Sequence, residues 1–170
     1  MKMRKMNTTK KMVESGALAI VRADVERACE IADGLIKGGV PVMEMSYTFN
    51  TAGDVIKALK EKYGEALTVG AGTVLDSETA RHAILNGAEF IKAFPISDFY
   101  GPKLVKVFKT PIPDMPILAS GGINLDNLSQ WLENGVDVCG LGGLLTKGTS
   151  EEIAENASKI HEIITNFRNK

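Results

Sequence analysis

The feature that most constrains this chain is the spacing of its helix-ending glycines. Gly39, Gly64, Gly87 and Gly135 fall 25, 23 and 48 residues apart, and 48 is two units of 24. Short apolar runs alternate with amphipathic stretches between them, so one strand-helix unit repeats about six times. Strands that alternate with helices imply a parallel sheet with right-handed crossovers. The runs are apolar on both parities, as a sheet covered on both faces requires.

In chain order, strands are expected at 17–23, 41–47, 67–74, 89–94, 116–121 and 137–142. A short polar helix at 5–15 precedes the first. Asp24 is the expected N-cap of a helix to about Lys37, with Val25, Ala28, Ala32 and Leu35 inward. Helices follow over about 51–63, from Asp76 to Gly87, and after Gly101-Pro102, where proline suits a first turn. Asn124 is the expected cap of the next helix, with Leu125, Leu128, Trp131 and Leu132 inward. Thr149 and Glu152 form a capping box for the last, whose stripe is Ile153, Ala157, Ile160, Ile164 and Phe167. With 170 residues and no linker, a single domain over 1–170 is expected.

Ligands in parallel α/β folds bind beyond the C-terminal ends of the strands. The polar residues there are Arg22, Glu44, Ser46, Thr73, Lys92 and Ser120, with the pairs Gly121-Gly122 and Gly142-Gly143. Lys92 interrupts an apolar strand. Burial disfavours a charged amine, and a neutral amine attacks a ketone to form a Schiff base, an electron sink that lets a neighbouring C–C bond break or form. Glu44 interrupts another strand, and such chemistry needs a group to move protons. A plain Glu44–Lys92 ion pair stays open as the alternative. The glycine pairs follow the last two strands and precede helices, where backbone N–H groups and the helix dipole favour phosphate; tight turns also need glycine.

Composition excludes several classes. The net charge is −1, with 44% hydrophobic and 24% charged residues. Neither a nucleic-acid nor a membrane partner is indicated. The basic N-terminus is not followed by a signal-peptide apolar region, and no run has the length of a membrane span. Cys29 and Cys139 form no CxxC pair and are expected as free thiols in a reducing cytoplasm. His82 and His161 lack ligand spacing and are expected to be surface or packing residues. GAGTV at 70–74 is no dinucleotide fingerprint, because its glycines lie within a strand.

The stretches VMEMSYT, VGAGTVLD, GAEFI, IKAFP, ASGGINLDN and GLGGLLTKG together resemble the KHG/KDPG aldolase family, class I aldolases that cleave a 2-keto-3-deoxy-6-phospho sugar acid or 4-hydroxy-2-oxoglutarate to pyruvate and an aldehyde. The resemblance implies a TIM-barrel-like α/β fold, a homo-oligomer (a trimer), a small keto-acid phosphate substrate, and neither metal nor other cofactor. By motif, Lys92 matches the Schiff-base lysine and Glu44 the general acid/base. Arg22, Thr73 and Pro95 match substrate-binding positions. Ser120, Gly121, Gly122, Gly142 and Gly143 match the phosphate-binding loops. Two other readings stay open: a phosphate-binding barrel isomerase or epimerase, and a truncated scaffold with impaired catalysis.

Family members have eight strands, and six are expected here. GAEFI resembles the family's fourth strand and KAFP the end of its sixth, joined between Ile91 and Lys92. Two strand-helix units, roughly 50 residues, are missing. The splice is in phase, so a six-unit parallel domain, closed or partly open, is expected.

Overall fold

The computed structural model describes residues 2–74, 77–93, 101–110 and 117–170, with side chains from Asn7 onward except at 91–93, 104, 107 and 108. Six strands were expected, and six form among the described residues: β1 (Ala17–Val21), β2 (Val42–Ser46), β3 (Thr68–Val74), β4 (Ile91–Ala93), β5 (Leu118–Ser120) and β6 (Val138–Leu141). The helices are α1 (Lys2–Ser15), α2 (Val25–Lys37), α3 (Ala52–Tyr63), α4 (Ser77–Leu85), α5 (Lys103–Lys109), α6 (Leu128–Glu133) and α7 (Ser150–Arg168).

All strand pairs are parallel, in the order β4-β3-β2-β1-β6-β5. This is a TIM-barrel-like α/β sheet of six units. Among the described residues it is open, with β4 and β5 as its edges. The opening lies between β4 and β5, which are consecutive in the chain.

The two faces of the strands bury different things. Met43 and Met45 of β2 join the main core with Ile31, Leu35, Val55, Ile56 and Leu59 of the helices. Leu18, Val42 and Val138 form a second cluster on the other parity, with Phe90 and Leu118 against it. Met12 and Val13 of α1 pack on that second cluster, so α1 closes the N-terminal end of the sheet. Helices α2 and α7 approach closely through small residues. A Cβ on Gly34 would stand 2.6 Å from the Ser150 carbonyl oxygen, and one on Gly38 2.6 Å from that of Ala154.

The local signals act as their chemistry dictates. Asp24 accepts from the Arg27 N–H at 2.9 Å. Thr149 and Glu152 complete the capping box. Gly39, Gly64, Gly87 and Gly135 all have positive φ, the conformation that ends a helix at little cost for glycine. Three details differ from expectation. Val25 is exposed, and Ile31 takes its place in the stripe of α2. Helix α4 ends at Leu85, two residues before Gly87. Helix α6 begins at Leu128, because the Asn124 side chain accepts from the N–H groups of Asp126 and Asn127 and holds a separate turn before it. Asp76 lies outside the described residues.

Candidate active site

Glu44 is fully buried, at the middle of β2. The neighbouring strand makes room for it. A Cβ on Gly72 would collide with Glu44 Oε1 and stand 2.7 Å from its carboxyl carbon. The same strand makes room for the Phe90 ring at Gly70, where a Cβ would collide with it. The glycines of GAGTV are therefore spaces cut for two side chains of the strands on either side.

Thr73 follows at once. Its φ is +55°, the only positive value for a non-glycine among the described residues. A β-branched residue is strained there, and such strain gathers at functional sites. The cause is local: the β3–β4 register shifts between Ala71 and Val74. A bulge of this kind re-aims a side chain. Regular alternation would set Thr73 on the face of Ala71, away from Glu44. Instead its Oγ1 lies 2.9 Å from Ser46 Oγ, and Ser46 is fully buried two residues beyond Glu44. Ser46 Oγ lies 3.0 Å from Thr48 Oγ1, and Thr48 accepts from Arg22 Nε at 3.0 Å. Arg22, Ser46 and Thr73 are thus linked at the C-terminal ends of β1, β2 and β3, with Glu44 two residues before Ser46.

Lys92 lies in β4, whose Ile91 pairs with Ala71 and whose Ala93 pairs with Val74. Its backbone therefore runs beside Gly72 and Thr73. Its side chain, and all of Pro95, lie outside the described residues.

Ser120 ends β5 beside Gly140 of β6, with which it is paired. A Cβ on Gly140 would come within 3.0 Å of Ser120 Cβ. The two glycine loops leave from these neighbouring strand ends. Gly121 and Gly122 have φ of 112° and 64°, so no other residue adopts this turn without strain. Asn127 ties it by donating to the Gly122 carbonyl at 2.8 Å. Gly142 and Gly122 border open space, and Gly142 leads into a 3-10 turn at Gly143–Leu145. Arg27 of α2 anchors the far side of that turn through the carbonyls of Thr146 and Gly148, at 2.8 and 2.6 Å.

Three residues beyond those expected belong to this end of the sheet. Thr48 was findable, since its two-residue spacing from Ser46 continues the face of β2. The Lys147 side chain packs over Gly143, where a Cβ would stand 3.5 Å from its Cδ and Cε, and it lines a shallow cavity of about 420 Å³. Arg27 gave no signal, because its role depends on a contact 119 residues away in the chain. His82 and His161 are exposed; His82 Nδ1 meets the Tyr47 hydroxyl at 3.1 Å. Burial and the Asp54 carboxylate raise the Tyr47 pKa above that of an ordinary phenol. Among the described residues no group of three His, Cys, Asp or Glu is placed to hold a metal ion. No helix among them is long and apolar enough to cross a membrane.

The family model for KDPG and KHG aldolase matches residues 8–93. The chain belongs to this family. The match spans β1 to β4. The chain is 33% identical to the 2-dehydro-3-deoxy-6-phosphogalactonate aldolase of Escherichia coli K12, over 81% of this chain and 64% of that protein. It is 32% identical to the 2-dehydro-3-deoxy-phosphogluconate aldolase of Treponema pallidum, over 67% of this chain and 50% of that one. It therefore spans between half and two thirds of the length of these relatives. A KDPG aldolase from Legionella pneumophila, solved with pyruvate captured as a covalent carbinolamine, has the same fold. Its TM-score is 0.70 at 17% identity, covering 94% of this chain and 97% of that one.

Proposed function

We propose that this chain is a class I aldolase, a lyase that cleaves a 2-keto-3-deoxy-6-phospho sugar acid or 4-hydroxy-2-oxoglutarate through a Schiff base on Lys92. One observation carries the reading: Glu44 of β2, a fully buried carboxylate in a space left by Gly72, is separated from Lys92 of β4 by the single strand β3 in a parallel sheet. A carboxylate is costly to bury, so one kept in this place suits a role in proton transfer.

In this reading the Lys92 amine adds to the keto carbon and water leaves, giving an iminium. Glu44 takes the proton of the substrate hydroxyl two carbons away. The bond between the hydroxyl-bearing carbon and the carbon next to the iminium breaks, the aldehyde departs, and the electron pair of that bond passes to the iminium as an enamine. Glu44 returns a proton to the enamine carbon, and water releases pyruvate from the amine. The captured carbinolamine in the Legionella relative supports the first step. Thr73, Arg22 and Pro95 would take part in holding the keto acid. Ser120, Gly121, Gly122, Gly142 and Gly143 would take the phosphate, supported by adjoining backbone turns that border open space.

We read residues 1–170 as one cytoplasmic domain acting without metal or cofactor on a small keto acid. A homo-oligomer, a trimer as in the family, would give the edge strands β4 and β5 a cover against unwanted pairing. Mass measurement in solution tests the assembly. Borohydride reduction with pyruvate tests the chemistry: a covalent adduct at Lys92 is expected. A folded protein that gives no adduct overturns the Schiff-base assignment.

A further inference from the structure

We propose that Thr48 and Ser46 are positioning residues, which hold Arg22 and Thr73 as one receptor for an anionic oxygen group of the substrate. The inference rests on the proposed keto-acid chemistry and assigns the recognition of its anion to a hydroxyl chain.

The chain is continuous. Arg22 Nε donates to Thr48 Oγ1 at 3.0 Å, Thr48 Oγ1 meets Ser46 Oγ at 3.0 Å, and Ser46 Oγ meets Thr73 Oγ1 at 2.9 Å. Its two ends differ in kind. At one, an exposed arginine is tied by Nε alone, and Nη1 and Nη2 have no partner among the described residues. The guanidinium fork matches carboxylate and phosphate oxygens. At the other, Thr73 is kept at φ +55°, where its hydroxyl reaches Ser46 only because the strand bulges.

The central link fixes both ends. Ser46 is fully buried, so its hydroxyl has a fixed position. A free arginine side chain carries about 2 kcal/mol of rotamer entropy. A bond at Nε removes part of that before any ligand arrives, which is preorganisation. Placement agrees. Val21, just before Arg22, pairs with Met45, and β1 lies between β2 and β6. The guanidinium therefore stands between the Glu44 strand and the strand that leads to Gly142.

The test follows the Arg22 Nε–H resonance by NMR while sodium pyruvate or inorganic phosphate is added to the full chain. Thr48→Val, Thr48→Ser and Ser46→Ala are compared with the unaltered protein. Thr48 is exposed, so its variants are expected to fold. The expected result is a saturable shift, with affinity about tenfold weaker in Thr48→Val and restored in Thr48→Ser. A shift with pyruvate assigns the receptor to the carboxylate, and a shift with phosphate alone assigns it to the phosphate. No shift with either anion, or equal affinity in Thr48→Val, overturns the proposal. Borohydride trapping on the same samples is a separate readout, so a chain that binds the anion but traps no pyruvate loses the aldolase assignment alone.

Discussion

Glu44 and Gly72 are fitted to each other across two strands: the carboxylate occupies the space that any side chain at position 72 would need. Residues 44 and 70, and 46 and 72, pair in the β2–β3 register, so the Glu44 carboxyl leans one step along the sheet toward Gly72. Neither residue can be exchanged without the other responding.

Gly72→Ala should therefore displace Glu44. Overpacking of this size costs about 1–3 kcal/mol, read as a lower midpoint in urea unfolding. If the collision is the cause, Glu44→Ala in the same chain should recover part of that cost, because residues in contact are not additive. Strict additivity of the two changes would show that Gly72 does not serve Glu44.

Much of this arrangement was legible before any coordinates. The glycine spacing fixed six units, and Asp24, Thr149 and Glu152 marked helix starts that the structure reproduces. Glu44 stood out because a lone carboxylate in an apolar strand needs a reason. Thr73 stood out as a polar residue near a strand end, and only family resemblance gave it a substrate-binding role. Its strand alternation points the wrong way, and only the bulge brings it to Ser46. The start of α6 was misplaced because Asn124 caps a turn as readily as a helix. Local chemistry was the same in both cases, and the following three residues decided between them. Arg27 was invisible because it acts across a contact 119 residues away in the chain.

The proposed division of labour between Lys92 and Glu44 separates by variant. Lys92→Ala should abolish retro-aldol turnover and borohydride trapping while leaving the unfolding midpoint close to that of the unaltered chain. Glu44→Gln should retain trapping with pyruvate and slow turnover by about 10²–10⁴-fold, the range expected for a lost general acid/base. Turnover that survives in Lys92→Ala removes the amine from the reaction. An unchanged rate in Glu44→Gln removes the carboxylate.

Lys60 and Glu89 brace the start of the spliced strand. Their ion pair is 2.8 Å long, with side chains 18% and 7% exposed, and Glu89 also accepts from the Val69 N–H at 3.3 Å. Removing one member leaves the other charge in a poorly solvated place, which costs more than the pair itself contributes. Lys60→Met should destabilise by about 1–3 kcal/mol, below the deeply buried range because the lysine keeps some contact with water. The double change Lys60→Met with Glu89→Gln should be less harmful than the sum of the single changes. A neutral result for Lys60→Met would place the pair among ordinary surface contacts.

The two thiols should differ in reactivity. Cys139 lies on β6 with no exposure, and burial pushes its thiol up to about 12. The reactive species is the thiolate, so a thiol reagent at pH 8 should leave Cys139 untouched in the folded chain and modify it after unfolding. Cys29 is half-buried on α2 and is the one expected to react slowly without unfolding. The same shift sets a stability window. A thiol whose folded pKa is raised above its unfolded value, about 8.5, favours the folded state fully below pH 8.5. That contribution is then lost as pH rises toward 12, because the unfolded chain gives up the proton first. Cys139→Ala should flatten this alkaline loss of stability. Rapid labelling of Cys139 in folded protein, or an alkaline profile unchanged by Cys139→Ala, would refute the assignment.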